Sequence, residues 1–182
     1  MRNNQQGFSL PEMMMVIAVI AIAASIAVPD YLAQLPDKRL KSAARDLYSS
    51  MQRARLGAVR DNTTWAVVRD GTNNRYLVCS SPGADSTWST TADNTVVTTV
   101  SLNSYQSGIT FGSGNATQNW NGNNCTQATT ITFTANGTAS SGSIYLENRN
   151  QDICYAVTAL STGAVKLRKY NGNLPFNVNN WN

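Results

Sequence analysis

The chain has 182 residues, room for one folded unit on the usual prior of about 100 to 200 residues per domain. It contains no His, which excludes Ser-His-Asp and Cys-His catalysis, HExxH zinc sites and Cys2His2 fingers. Charged residues make up only 13% of the chain, and 14 Lys+Arg against 10 Asp+Glu leave a net charge of +4. An enzyme is not expected, and neither is a cofactor or a metal.

The apolar content is uneven. Phe8 to Val28 holds 17 hydrophobic residues in 21 positions, and Met13 to Val28 carries no charge. As a helix the segment is about 31 Å long at 1.5 Å per residue, close to the hydrocarbon thickness of a bilayer. Three readings compete: a cleaved secretory signal, a membrane anchor and a buried core helix. Arg2 gives a thin basic flank, while Pro29, Asp30 and Tyr31 set up Ala33 poorly as a cleavage site, and Ser25-Ile26-Ala27 is an alternative. A core helix is disfavoured because no other segment is apolar enough to surround it. Glu12 stands at the lip of the run with no nearby Lys or Arg in its own helix, although carboxylates at membrane depth are costly and usually paired.

Gly7-Phe8-Ser9-Leu10-Pro11-Glu12, followed by the Met/Ile/Val/Ala run, resembles the prepilin signature of type IV pilins and type II secretion pseudopilins. The resemblance implies that a prepilin peptidase cuts after Gly7 and leaves the anchor attached. It further implies that Phe8 becomes an N-methylated first residue, and that Glu12 meets the N-terminal amine of a neighbouring subunit in a filament. Gly7 offers no side chain to obstruct the peptidase. Pro11 stands where many members carry an aliphatic residue, but in a first helical turn its missing N–H costs no internal hydrogen bond.

After the span, Pro29 predicts a bend or break, and Pro36 a second one with Asp37 as cap or first-turn anion of the next helix. Leu40, Ala44, Leu47, Met51, Ala54 and Ala58 recur at spacings of three and four, an apolar stripe on a helix from Asp37 to about Arg60. Seven basic side chains from Lys38 to Arg60 face three acidic ones, so this helix carries a net charge equal to that of the whole chain. It reads either as a contact for acidic headgroups or acidic filament neighbours, or as a solvated face. The stretch Leu47 to Asn62 resembles the helix end of the H-type pseudopilin and FimT branch, where small residues and Arg precede the first strand.

Beyond Asn62 the period becomes two. Trp65 to Arg69 and Arg75 to Ser80 flank the turn-rich Asp70-Gly71-Thr72-Asn73-Asn74 and predict a hairpin. Further strands are expected at Thr95 to Leu102, Ile109 to Phe111, Thr129 to Thr134, Ser143 to Glu147, Ile153 to Leu160 and Ala164 to Tyr170, with turns at Ala135-Asn136-Gly137 and Ser161-Thr162-Gly163. The expected class is α+β: a type IV pilin-like fold, with a long N-terminal helix packed on an antiparallel head, for which the resemblance implies two sheets. The expected organisation is a leader at 1–7, a transmembrane helix at 8–28, a soluble helical half at 29–62 and a periplasmic β head at 63–182.

Cys79, Cys125 and Cys154 are too few and too widely spaced for a zinc ribbon. Outside the cytoplasm one bridge, with Cys125 to Cys154 the preferred pair, competes with three small buried side chains. Asp85 and Asp93 fall short of a calcium cage. In Gly163-Ala164-Val165-Lys166-Leu167-Arg168-Lys169, Gly163 and Lys166 partly match a Gly-Arg-x-Arg motif by which some pilus relatives capture DNA, but Ala164 replaces its first Arg. Alternation places Lys166, Arg168 and Tyr170 on one strand face, two cations and a ring for a phosphate backbone; Lys169 adds a third cation to the stretch.

The leading functional expectation is a non-catalytic minor pilin or pseudopilin near a filament tip, supporting initiation of assembly and either secretion or piliation. DNA uptake is the alternative. The expected partners are other pilins or pseudopilins, the prepilin peptidase/methyltransferase and the inner membrane. The chain would be single-pass with its head in the periplasm, or extracellular in an extended pilus.

Overall fold

The structure, a computed structural model, describes residues 8–106, 108–172 and 177–182. Its single α-helix among them, α1, spans Leu10–Asp61, and the chain forms two compact units, Met1–Leu35 and Pro36–Asn182. The breaks expected at Pro29 and Pro36 do not occur, since α1 is helical through both. Each proline removes one N–H from the i to i−4 series, and the bonds on either side keep the conformation. Asp37 is therefore not a cap. Its carboxylate accepts a hydrogen bond from Asn148 Nδ2 at 3.3 Å, which ties the helix to a strand end.

In the Pro36–Asn182 unit the predicted stripe is the helix's buried face. Leu40, Ala44, Leu47, Met51, Ala54 and Ala58 have no exposed surface, and Ala43, outside the predicted set, joins them. All eight predicted strands form, with ends differing by at most one residue. They are β1 (Trp65–Asp70), β2 (Arg75–Ser81), β3 (Thr95–Ser101), β4 (Thr110–Phe111), β5 (Thr130–Phe133), β6 (Gly142–Glu147), β7 (Cys154–Ala159) and β8 (Val165–Tyr170). They make two four-stranded antiparallel sheets, ordered β3-β2-β1-β5 and β4-β6-β7-β8.

Strand alternation splits each sheet into a helix side and an outer side. Trp65 and Val67 of β1, Ile144 and Leu146 of β6, and Tyr155, Val157 and Ala159 of β7 share one core with the helical stripe. Ala66, Val68, Leu77 and Cys79 point the other way and are covered by Trp88. On the outer side of the second sheet, Tyr145, Cys154, Ala156 and Tyr170 are roofed by Ala116, Trp120, Cys125 and Trp181. Polar segments rich in Ser, Thr and Asn thus close the outer faces, the first with one aromatic residue, Trp88, and the second with two, Trp120 and Trp181. The close seat of β1 on α1 requires Gly57, because a Cβ there would stand 2.7 Å from the Trp65 ring.

Candidate functional site

The N-terminal segment is built for exposure. Ser9 precedes α1, and its carbonyl accepts from the N–H groups of Glu12 at 3.1 Å and Met13 at 3.2 Å. Pro11 lies in this first turn, where its missing N–H is harmless. Glu12 is exposed in the same turn, near the positive end of the helix dipole. Gly7 lies outside the described residues, and Phe8 is 76% exposed.

From Leu10 to Val28 the large apolar side chains are all exposed, with Leu10 at 75% and Met15 at 72%. The helix contains a stretch long and apolar enough to cross a membrane, none of it buried by the rest of the chain. So much uncovered apolar surface needs lipid or other helices around it.

Two family descriptions match the chain. The prokaryotic N-terminal methylation motif covers residues 2–28, and "Type II transport protein GspH" covers residues 43–163. The chain belongs to the GspH family. Among solved structures, the minor pseudopilin EpsH of the Vibrio cholerae type 2 secretion system has a similar fold. It is 16% identical, with a TM-score of 0.50, and the match covers 71% of this chain and 95% of that one. No curated protein matches the sequence. In this GspH-family chain the span of the methylation motif includes Phe8, two residues before α1, and Glu12, in its first turn.

The basic C-terminal strand is arranged differently from the expectation. Lys166 is exposed, but Arg168 is half-buried with its guanidinium carbon 4.4 Å from the Trp120 ring centroid. Tyr170 has no exposed surface, so it cannot serve as a stacking platform. The reason is the chain end, which adds to β8. Lys169 and Asn182 exchange backbone hydrogen bonds at 2.8 Å, and Trp181 lies 5.5 Å from Tyr170 between ring centroids. Lys169, one residue out of phase with Lys166 and Arg168, falls on the opposite strand face. The stretch presents one exposed cation, one stacked cation and one on the other side.

Cys79, Cys125 and Cys154 are free thiols in the structure, yet Cys125 and Cys154 meet in one cluster with Tyr145, Tyr170 and Trp181. Burial pushes the Cys79 thiol up to about 11 and also raises Cys125 and Cys154, so none is an activated nucleophile. Asp85 and Asp93 are occupied within their loop: Asp85 accepts from the N–H and hydroxyl of Thr87, and Asp93 from the N–H of Asp85.

One surface feature escaped the sequence reading. A groove of about 460 Å³ lies beside α1, lined by Leu56, Trp65 and Val97 with Arg53 and Arg60 at its rim. Leu56 is off the buried stripe, two positions after Ala54, and an apolar residue out of phase was the available signal.

Proposed function

We propose that the chain is a non-catalytic minor pseudopilin, a subunit that enters a periplasmic filament of a type II secretion system near its tip and helps to initiate assembly. The observation that carries this reading is the helix from Leu10 to Val28, uncovered along its whole length and opened by a lone carboxylate, in a chain that belongs to the GspH family. The helix first anchors the chain in the inner membrane with its head on the periplasmic side. Cleavage after Gly7 then places an ammonium on Phe8, and Glu12 of one subunit takes that ammonium of its neighbour as partner, which sets the axial register of stacked helices.

The test is mass spectrometry of the chain purified from its native membrane. The expected product starts at Phe8 and carries one added methyl group. A mature chain starting after Ala27 or Ala33 would identify an ordinary secretory signal and end the filament reading.

A further inference from the structure

One edge of the first sheet is formed by β3. Among the described residues no strand pairs with its outer side, and its seven residues, TVVTTVS, include six β-branched ones and no charge or proline. Edge strands that must stay unpaired usually carry Lys, Pro, an inward charge or a bulge, and of these guards β3 has only its register slip against β2. The register slips between Val78 and Cys79, so that Thr98 and Val96 are paired while Val97 is passed over. Val97, 37% exposed, faces the groove whose other wall holds Leu56, 69% exposed.

The rim of that groove is positive. Arg53 donates from Nη1 to Thr98 Oγ1 at 3.1 Å, and among the described residues it pairs with no carboxylate. Arg60 is paired with Asp61 and lies 5.9 Å from the Trp65 ring centroid. An unpaired backbone edge is satisfied by an extended chain, the groove beside it accepts an apolar side chain, and Arg53 asks for an acid.

We propose that the outer edge of β3, with the groove between Leu56 and Val97, docks an extended segment of a different filament subunit that carries an acidic residue beside an apolar one. A second copy of this chain is the wrong occupant. Its β3 supplies no carboxylate, and β3-to-β3 pairing would bring a second Arg53 to the same interface.

The identity of the partner as a filament subunit rests on the proposed function, so both are read in the same cells. The full-length chain carries a photoreactive benzoylphenylalanine at position 97 or, as a control, at position 166, and adducts are mapped by peptide mass spectrometry. The expected adduct from position 97 is a strand-like acidic and apolar segment of another pilin-type subunit. Its yield should fall about tenfold or more in R53E and in T99K, since a like charge at a matched contact, or a charged side chain on a pairing edge, opposes docking. Thermal melts of both variants should match the parent, and the position 166 adducts should not change. No adduct, an adduct to a second copy or to lipid, or an adduct indifferent to R53E would overturn the docking. If the chain in those cells still starts at a methylated Phe8, such a result removes the docking and leaves the filament reading standing.

Discussion

Gly163 is pressed against the carbonyl of Gly137: a Cβ at Gly163 would lie 1.7 Å from that oxygen, which also accepts from Arg55 Nε at 3.0 Å. Two turns distant in sequence, β5–β6 and β7–β8, are thus joined to each other and to the helix at one point. Both glycines hold positive φ, 74° and 79°. Gly163→Ala should cost about 2 kcal/mol or more, from a left-handed backbone and a clash with main chain that cannot swing away. Gly122 is the control, with a φ of 78° and nothing within 4 Å of an added Cβ. Gly122→Ala should cost about 1 kcal/mol, the backbone strain alone. Urea unfolding of both variants checks the difference, and equal losses would contradict the close approach.

On the proposed function, substitution of Glu12 should separate assembly from anchoring. Glu12→Ala makes the span more apolar, so the variant should still be cleaved after Gly7 and fractionate with the inner membrane. It should fail to co-purify with filament partners or to restore secretion in a deletion strain, because the neighbouring ammonium loses its partner. Glu12→Asp keeps the charge with a shorter reach and should fall between. Full complementation by Glu12→Ala would remove the registration role.

The cysteines make a covalent prediction. On export, Cys125 and Cys154 should join, each thiol losing a proton and the pair passing two electrons to the disulfide of a periplasmic thiol oxidant. The purified chain, denatured without reductant, should then show one titratable thiol, Cys79, and a mass lower by two hydrogens than the reduced form. Three titratable thiols would leave Cys125 and Cys154 as packing residues. Cys125→Ser should lower the midpoint of unfolding only in the oxidised protein.

Alkali should destabilise the head from the ordinary tyrosine range upward. Burial pushes the Tyr76 and Tyr145 phenols up to about 12. The folded state therefore holds these protons more tightly than the unfolded chain, whose phenols titrate near 10. Their stabilisation is complete below about pH 10 and is lost as pH rises toward 12, and Cys79 adds a loss that begins near pH 9. The urea midpoint should drop between pH 9 and 11, and Tyr145→Phe should flatten that slope. A midpoint constant across this range would show that the phenols are not held neutral by burial.

Local chemistry made most of the fold legible. The stripe from Leu40 to Ala58 is buried residue for residue because a 3.6-residue period states which face leaves water. The turn Asp70 to Asn74 names its hairpin because Asp70 Oδ1 accepts from the N–H of Asn73 and Asn74 adopts a positive φ, both short-range events. The N-terminal methylation motif was legible because its residues are contiguous in the chain, and the match over residues 2–28 spans the stretch that carried the resemblance. Pro29 and Pro36 misled for the same local reason, since one missing N–H reads as a stop although its flanking helical bonds persist.

The tertiary structure decided what depends on segments far apart in the chain. Strand order set β1 between β2 and β5 and left β3 open, a choice of partner that alternation cannot express. The return of the chain end onto β8 put Trp181 beside Tyr170, and the segment between β4 and β5 brought Trp120 to Arg168, which left Lys166 as the exposed cation of the expected face. Leu56 and Val97, 41 positions apart, became two walls of one groove. Period and turn chemistry are read within a few residues, whereas burial of an outer sheet face is settled by whichever loop arrives to cover it.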